Sequence, residues 1–518
     1  MRLPQNIPAA LRDRLRPICV AVTAAEPLAL FQTARKEFQE NSFLEMRFDA
    51  LPAPGDALPL LRQFCQAYPQ AAVLANCRRI AGGGGFRGSV DEQLGLLGQM
   101  ADGGAVLVDV ELETLEAAEP EQLIRLRDQL TGAGAHLLVS AHDFTGTGDL
   151  DATLAKLRAL GAPACPAIYK IVSTAQGLAD NLRMLGFIEA ASREVPVVGI
   201  CMGLPGLPSR VLALRFGALF TFASASEGEA TAAGQVSAKL LLEEYRAAAL
   251  SSETRVYGVA GNPVAHSLSP ALHNRGFRAA GIDAIYLPLH TASIEDLMAL
   301  VHGLPIAGLS VTMPWKVEIL PYLDEVDALA SEIGAVNTVL RRADGSLYGS
   351  NTDAAAVVEP LRKRLSLGGA RVLLLGAGGA ARAACFALRS GGAAVHILTR
   401  TPPAAEQLAR DSGAAVADRA QLGRFDVVVN ATPAGMAGAT QNAELLVDEA
   451  TLSGVRVVFE MVYRPAETPL TRLAKALGIE VITGREMFLH QGIRQWSLWT
   501  GNDAPEAAMR DALLPERE

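Results

Sequence analysis

The chain has 518 residues, 50% of them hydrophobic and 19% charged, with a formal net charge of -9. This length exceeds what one hydrophobic core supports, so we expect two or more packed α/β domains. The mild acidity excludes a basic footprint for nucleic acid, and no apolar run reaches the length of a membrane span. Nucleic-acid and membrane partners are therefore not expected, and no metal site is predicted.

The six cysteines form no C-x-x-C pair, and most lie inside apolar runs. This usage is typical of reduced, buried thiols in a cytosolic protein. A strand is predicted at 17–23, which leaves little room for a cleaved targeting peptide. We therefore expect a cytoplasmic location; the oligomeric state stays open.

Eight short apolar runs alternate with amphipathic helical patterns in the first half. The runs are 17–23, 43–48, 72–77, 105–110, 135–140, 167–172, 195–201 and 219–222. Alternation of strand and helix favours parallel βα units, and eight such units in about 250 residues match a closed (β/α)₈ barrel.

Polar residues cluster where these predicted strands end, which is where a barrel of this kind carries its chemistry. They are Glu45, Arg47, Arg78, Asp109, His142 and Lys170. Lys170 has apolar neighbours, and a lysine in apolar surroundings loses some preference for its charged form. A neutral amine can form a Schiff base with a ketone, and His142 could act as the general base. Taken singly, a snorkelling lysine and a loop histidine are commoner interpretations, but the pair at adjacent strand ends favours catalysis.

Several motifs of this half resemble type I 3-dehydroquinate dehydratase, over nearly all of residues 16–245. The motifs are Glu45-x-Arg47-x-Asp49, Cys77-Arg78-Arg79, His142-Asp143-Phe144, Lys170-Ile171, Ser209-Arg210, Phe216-Gly217, Thr221-Phe222 and Thr231-x-x-Gly234-Gln235. The resemblance implies Lys170 as the Schiff-base lysine and His142 as acid and base. It also implies a set of substrate ligands: Glu45, Arg47, Arg78, Arg210, Thr231 and Gln235.

One position departs from that family. The family usually has an acidic residue four positions after the arginine matched to Arg78, and this chain has Gly82 in the run Gly82-Gly83-Gly84-Gly85. A glycine run is flexible and orders at an entropic cost. We therefore expect a slow but real dehydratase, in which Asp109 or Glu111 could substitute for the missing carboxylate.

The second half contains a strand, a glycine-rich turn and a helical pattern at 371–390, the order found in dinucleotide-binding folds. The turn is Gly376-Ala377-Gly378-Gly379-Ala380-Ala381. The next strand ends at Thr399-Arg400-Thr401, where an NAD enzyme would have a carboxylate. A guanidinium there suits a 2′-phosphate, so the predicted cofactor is NADP.

Lys316 and Asp353 are a second candidate catalytic pair, since an ammonium beside a carboxylate can polarise a ketone and relay a proton. A structural ion pair is the plain alternative. Ser269-Pro270 reads as a helix N-cap followed by proline at the first helical position.

The whole pattern from about 255 to 502 resembles shikimate dehydrogenase. Its motifs include Gly261-Asn262-Pro263-x-x-His266-Ser267-x-Ser269-Pro270, Gly334-Ala335-Val336-Asn337-Thr338, Asn430-Ala431-Thr432-Pro433-x-Gly435-Met436 and Glu486-Met487-x-x-x-Gln491-Gly492. The resemblance implies Lys316 and Asp353 as catalytic, and Ser267, Ser269, Thr312, Asn337 and Gln491 as substrate ligands. The cofactor residues it implies are Gly376, Ala377, Gly378, Gly379, Ala380, Thr399, Arg400, Thr401, Asn430, Thr432 and Met436.

We thus expect a dehydratase barrel at 1–250, a substrate-binding domain at 255–355, a Rossmann NADP-binding domain at 356–485 and a C-terminal helical segment at 486–518 returning to the substrate domain. The substrates would be 3-dehydroquinate, 3-dehydroshikimate and shikimate. Two alternatives stay open: a shikimate or quinate dehydrogenase with an impaired barrel, and one with a ligand-binding regulatory barrel.

Overall fold

The computed structural model of the chain describes residues 7–225, 234–265, 267–418, 424–436 and 446–514. Its contacts divide the chain into two compact units, one of residues 1–254 with 287–305 and one of residues 255–286 with 306–518. Of the helices in these ranges, none combines the length and apolar character that crossing a membrane requires.

Eight parallel strands form the predicted barrel, in the order β7-β6-β5-β4-β3-β2-β1-β8. They are β1 (Ile18–Val22), β2 (Phe43–Arg47), β3 (Ala72–Asn76), β4 (Leu107–Glu111), β5 (His136–His142), β6 (Ile168–Thr174), β7 (Val197–Met202) and β8 (Thr221–Ser224). A backbone hydrogen bond of 2.9 Å from the N–H of Leu219 to the carbonyl of Val197 links the segment before β8 to β7. The predicted barrel is confirmed.

Helices alternate with these strands. They are α1 (Ala9–Arg12), α2 (Pro27–Phe38), α3 (Leu58–Ala67), α4 (Val90–Asp102), α5 (Leu112–Ala117), α6 (Pro120–Ala133), α7 (Leu150–Gly161), α8 (Ala179–Ala191) and α9 (Leu207–Leu212). Local sequence sets their ends: Ser89 and Glu92 form a capping box at the start of α4, and Gly134 ends α6 in the left-handed conformation. Such caps satisfy backbone groups that a helix end leaves unpaired.

A mixed six-stranded sheet follows, in the order β10-β9-β11-β13-β14-β12. Its strands are β9 (Arg255–Gly261), β10 (Ala284–His290), β11 (Ile306–Val311), β12 (Glu325–Val326), β13 (Thr338–Arg341) and β14 (Leu347–Ser350). The helices of this stretch are α10 (Ser269–Ala279), α11 (Ile294–Gly303), α12 (Ala328–Ile333) and α13 (Thr352–Arg362).

The third sheet is parallel, in the order β17-β16-β15-β18-β19-β20. Its strands are β15 (Arg371–Leu375), β16 (Ala394–Leu398), β17 (Ala415–Val416), β18 (Val427–Asn430), β19 (Val457–Glu460) and β20 (Glu480–Ile482). Its helices and those after it are α14 (Gly379–Ser390), α15 (Pro402–Ser412), α16 (Glu449–Leu452), α17 (Pro469–Ala476), α18 (Gly484–Thr500) and α19 (Glu506–Asp511). The strand order reverses between β15 and β18, so ligands are expected at the carboxyl ends of these two strands.

The structure differs from the sequence-based expectations in several elements. Strands β12, β14 and β17 were not predicted, because β12 and β17 have two residues each and β14 contains a glycine. The N-cap of α10 is Leu268 rather than Ser269, which is already the first helical residue. All six cysteines are free thiols, but Cys165 is exposed and Cys65 is half-buried. The glycine run at 82–85 forms a turn closed by backbone hydrogen bonds, such as that of 2.9 Å from the N–H of Gly83 to the carbonyl of Ile80.

Candidate active sites

A layer of side chains from alternate strands crosses the inside of the barrel. The Nζ atom of Lys170 on β6 lies 3.2 Å from Oδ2 of Asp109 on β4 and 3.5 Å from Oε1 of Glu45 on β2. It also lies 4.2 Å from the ring centroid of Phe222 on β8. Four alternate strands filling one layer is the usual arrangement of such barrels. Side chains alternate between the two faces of a strand, so the apolar residues next to Lys170 in sequence point away from the face that carries its amine. The prediction that this amine has apolar surroundings is therefore wrong.

One buried side chain beside this layer, that of Asn76, was given no role from the sequence. Asn76 on β3 donates to Oε1 of Glu45 at 2.9 Å and to Oδ2 of Asp109 at 3.1 Å, so it holds the two carboxylates together. The other oxygen of Asp109, Oδ1, is buried without a partner among the described residues. A polar residue at an inward position of an otherwise apolar strand is the sequence signal that marks Asn76.

Three predicted arginines lie at this site. Arg47 forms two hydrogen bonds of 2.8 Å with the carboxylate of Asp49. Arg78 is buried, with its guanidinium 3.7 Å from Asp109. Arg210 is also buried, and its guanidinium donates to the carbonyl of Phe222 at 2.9 Å.

Arg210 stands out because no described carboxylate lies within ion-pairing distance of it, while burial lowers its pKa to about 10. It therefore remains a cation at neutral pH, and its Nε atom has no partner in the described part of the chain. A buried cation without a counter-ion suits an anionic ligand, and a carboxylate can be bound by two parallel hydrogen bonds.

The charges of this site act on one another. Burial raises the pKa of Glu45, but the positive charges of Lys170 and two arginines outweigh this effect, so its pKa is lowered and it stays ionised. Burial lowers the pKa of His142 well below its ordinary value, and three cations lower it further. These cations are Arg78, Lys170 and Arg47. His142 is therefore a neutral imidazole, the form that accepts a proton.

His142 ends β5, and its ring stacks on Phe144 with centroids 6.1 Å apart. Its Nδ1 atom is buried without a partner among the described residues. No carboxylate in that part of the chain therefore holds the ring, as the glycine at position 82 led us to expect.

The turn that contains Gly82 is closely packed. A Cβ atom at position 82 would lie 2.7 Å from Cγ of Glu111 and 3.1 Å from Oε2 of Glu113. The Glu111 carboxylate accepts hydrogen bonds from the backbone N–H of Arg79 at 3.0 Å, and from Gln93 and Thr114. Glu111 thus anchors the turn and, with its lone pairs in use there, does not replace the missing partner of His142.

Two predicted ligands of the barrel give less information. Thr231 lies outside the described residues. Gln235 is half-buried in the segment that follows.

The second predicted catalytic pair is also brought together. Nζ of Lys316 lies 2.6 Å from Oδ2 of Asp353, the second residue of α13. The backbone of Lys316 is held in place because its carbonyl accepts a hydrogen bond of 2.8 Å from the N–H of Val336.

The predicted substrate ligands of this unit occupy several elements. The hydroxyls of Ser267 and Ser269 lie 3.2 Å apart. Asn337 is buried and accepts the N–H of Thr352, next to Asp353, at 2.8 Å. Thr312 and Gln491 are half-buried, and no described hydrogen bond joins either side chain to this group.

The glycine-rich turn has the geometry of an anion site. Gly376 has a φ of 107°, which favours glycine, and packs against Thr432. Gly378 is the N-cap of α14, and a Cβ added at Gly378 or Gly379 would meet nothing within 4 Å. Open space before a helix N-terminus with free N–H groups suits a phosphate, so these residues fit a dinucleotide.

The other predicted cofactor residues follow neighbouring strands. Thr399, Arg400 and Thr401 come after β16, where Arg400 is exposed. Asn430 ends β18, donates to Glu460 at 2.9 Å and accepts from the hydroxyl of Thr432 at 2.7 Å. Asn430 therefore shapes the turn that leads to the exposed Met436 rather than facing outward itself.

A barrel with a buried amine, followed by two α/β sheets with a glycine-rich turn, defines a fusion of two enzyme folds. The type I 3-dehydroquinase family matches residues 18–252, the shikimate dehydrogenase substrate binding domain matches residues 259–339, and the shikimate 5'-dehydrogenase C-terminal domain matches residues 484–514.

The chain is also similar to single proteins of these families. The chloroplastic bifunctional 3-dehydroquinate dehydratase/shikimate dehydrogenase of Arabidopsis thaliana is 33% identical over 447 residues, covering 82% of this chain and 72% of the relative. A shikimate dehydrogenase (NADP(+)) of Methanothermobacter thermautotrophicus is 39% identical over 278 residues, 51% of this chain and 97% of the relative. The crystal structure of shikimate 5-dehydrogenase from Thermus thermophilus in complex with NADP(H) and shikimate is 36% identical over 50% of this chain and 98% of that chain, with a TM-score of 0.46.

The chain belongs to the family of bifunctional 3-dehydroquinate dehydratase/shikimate dehydrogenases.

Proposed function

We propose that this chain dehydrates 3-dehydroquinate to 3-dehydroshikimate in its barrel and reduces that ketone to shikimate with NADPH in its second unit. The observation that carries the proposal is the amine of Lys170, buried within 3.5 Å of two carboxylates inside a barrel of the dehydroquinase family. A lysine placed in this way is poised for covalent chemistry with a ketone.

In the barrel, Lys170 must lose a proton before it attacks, and Oδ2 of Asp109 lies within reach at 3.2 Å. The amine then adds to the substrate ketone, and loss of water gives an iminium. Neutral His142 removes a proton from the neighbouring carbon, and its imidazolium returns that proton to the departing hydroxyl, which leaves as water. Water then hydrolyses the imine, releasing 3-dehydroshikimate and free Lys170.

The arginines would bind and orient the substrate. Arg210 lacks a counter-ion among the described residues, and we assign it to the substrate carboxylate. Arg78 and Arg47 are already engaged with Asp109 and Asp49, so we assign them to substrate hydroxyls together with Glu45. Thr231 and Gln235 complete the proposed set of ligands.

In the second unit, Lys316 and Asp353 would hold the transferable proton at Nζ beside the ketone oxygen of 3-dehydroshikimate. Ser267, Ser269, Thr312, Asn337 and Gln491 would bind its hydroxyls and carboxylate. When bound, NADPH supplies the hydride. The turn at 376–380 and the residues after β16 and β18 would hold its phosphates, with Arg400 at the 2′-phosphate.

The same proposal assigns residues 1–250 to the dehydratase, 255–355 to substrate binding, 356–485 to NADP binding and 486–518 to a C-terminal helical segment. We expect a cytoplasmic location and these small molecules as the substrates.

The proposal is tested with the purified full chain in two stages. 3-Dehydroquinate alone should give 3-dehydroshikimate without any nucleotide, and NADPH added afterwards should be oxidised in an amount equal to the shikimate formed. Absence of the first stage with normal shikimate oxidation would favour the impaired or regulatory barrel, for which the unpartnered Nδ1 of His142 is the supporting observation.

A further inference from the structure

Buried polar side chains form a continuous chain of hydrogen bonds that ends at Asn337. The phenol of Tyr286 lies 2.6 Å from Oγ of Ser310, which lies 3.0 Å from Oε1 of Gln495. Nε2 of Gln495 lies 3.1 Å from Oγ1 of Thr338, which lies 2.8 Å from Oδ1 of Asn337. All five side chains are buried, so the network exchanges little with water.

The direction of every bond is fixed from the Asn337 end. The backbone N–H of Thr352 can only donate, and it contacts Asn337 at 2.8 Å, so the accepting atom must be the amide oxygen. Thr338 therefore spends its single hydroxyl hydrogen on that oxygen and can only accept from Gln495.

The bond to Thr338 also fixes the orientation of the Gln495 amide. Since Gln495 donates to Thr338 through Nε2, its Oε1 faces Ser310 and also Nε2 of His273, 3.3 Å away. Ser310 must then donate to Gln495, which leaves it to accept from Tyr286. The Gln495 side chain thus has one donor bond and two acceptor bonds, and a change in its orientation would break all three.

This arrangement determines what Asn337 offers to a ligand. Its Oδ1 is occupied by Thr338 and Thr352, and one Nδ2 hydrogen goes to the hydroxyl of Thr352 at 3.1 Å. The remaining Nδ2 hydrogen is the group left for substrate. We propose that Gln495 is a positioning residue of the dehydrogenase site, which acts through Thr338 to hold Asn337 as a donor toward a substrate oxygen.

The opposite end of the network points to the same site. Gln495 contacts His273 on α10, the helix that begins with Ser269, a second proposed substrate ligand. Gln495 therefore stands between α10 and the start of β13, which directly follows Asn337. The inference rests on the proposed function of this unit, because Asn337 and Ser269 are its proposed ligands.

The test uses Gln495→Met, which keeps the length of the side chain and removes all three hydrogen bonds. Without Gln495, Thr338 lacks its donor and can turn its hydroxyl hydrogen to Oγ1 of Thr352, 3.0 Å away, so that Asn337 keeps the backbone N–H of Thr352 but loses the bond from Thr338. Because Asn337 is then held less firmly as a donor, we expect the KM for shikimate to rise about tenfold, the effect of losing one good hydrogen bond. The KM for NADP and the kcat should change less than about twofold on the same scale. Gln407→Met, on the exposed surface of α15, is the matched control and should leave all constants unchanged.

Two further variants separate positioning from structural support. Thr338→Val breaks the next link and should reproduce the raised shikimate KM. Gln495→Glu introduces a carboxyl group that, when protonated, has one donor and one acceptor like the amide. Its shikimate KM should approach the unmodified value at low pH and rise at high pH, while Gln495→Met shows no such recovery. Thermal unfolding of each variant is measured alongside.

Each outcome has one meaning. An unmodified chain that does not oxidise shikimate contradicts the proposed function itself. An active chain whose Gln495→Met and Thr338→Val variants keep their shikimate KM, with or without a lower unfolding temperature, overturns the positioning role alone. If Gln495→Met does not fold, the pH-independent KM of Gln495→Glu would overturn it in the same way.

Discussion

Both candidate sites contain a lysine held by a carboxylate, but the two lysines have different surroundings. The Lys170 side chain is 5% exposed and has two carboxylates and an aromatic ring around its amine. The Lys316 side chain is 21% exposed and has one described carboxylate, that of Asp353. A buried ammonium needs its charge balanced before any substrate arrives, whereas a partly exposed one is also solvated by water. The barrel therefore carries a network of charges where the dehydrogenase needs only a pair.

The two sites also differ in how they are assembled. Lys170, Asp109 and Glu45 come from three strands, and only barrel closure brings them together. The backbones next to Lys316 and Asp353 are both tied to the segment 336–337, by the bond from the N–H of Val336 to the carbonyl of Lys316 and by that from the N–H of Thr352 to the side chain of Asn337. Removal of a group should therefore have wider effects in the barrel than in the dehydrogenase.

Lys170→Ala should produce the largest effect. Without the amine no covalent intermediate forms, so we expect dehydration of 3-dehydroquinate to fall at least about a thousandfold, the scale seen when a nucleophile is removed. Shikimate oxidation by the same preparation is the internal control and should be unchanged. Normal dehydration by this variant would rule out the Schiff-base role.

Lys316→Ala and Asp353→Ala should each lower the kcat of shikimate oxidation by roughly a hundredfold, since each removes help with proton transfer. Dehydratase activity measured in parallel should stay the same. A purely structural pair would instead lower the unfolding temperature and leave the kcat of the folded fraction intact.

Arg400→Ala should raise the KM for NADP about tenfold, because it removes a charge-assisted contact to the 2′-phosphate. The measurement is the ratio of NADP to NAD use before and after the change. Equal use of the two cofactors by the unmodified chain would contradict this assignment.

Gly82→Glu restores the carboxylate that the family resemblance implies at this position, and it would raise dehydratase kcat if the turn could hold the new side chain without strain. The turn does not meet this condition, since a Cβ atom at position 82 would lie 2.7 Å from Cγ of the buried Glu111. We now expect the substitution to lower kcat and to destabilise the fold by about 1–3 kcal/mol through overpacking. Gly132→Ala, where an added Cβ meets nothing within 4 Å, is the control and should not destabilise. A faster enzyme would show that the turn rearranges.

The pH profile should show the smallest change. His142 acts as a base in its neutral form, so activity falls as pH drops through its pKa, which burial and nearby cations hold well below the usual value. Dehydratase kcat/KM should therefore vary less than about twofold between pH 7 and pH 6, where an ordinary histidine would lose most of its neutral form. A steep loss in this range would mean that a carboxylate or water supports the imidazolium.

The eight barrel strands and the parallel third sheet could be predicted because their apolar runs and intervening helices are regular. The short strands β12 and β17 could not, since two residues carry no period. Lys316 and Asp353, which belong to local sequence motifs, were predicted as a pair, and Nζ of Lys316 lies 2.6 Å from Oδ2 of Asp353. Asn76 and Gln495 were missed, because their roles depend on side chains distant in sequence that only the fold brings near.

A Schiff base at Lys170 is tested most directly by borohydride reduction during turnover of 3-dehydroquinate, followed by mass analysis of peptides. We expect a stable adduct on the peptide containing Lys170, and none on Lys316, in the unmodified chain. An adduct on another lysine, or none during active turnover, would contradict a Schiff base at the centre of the barrel.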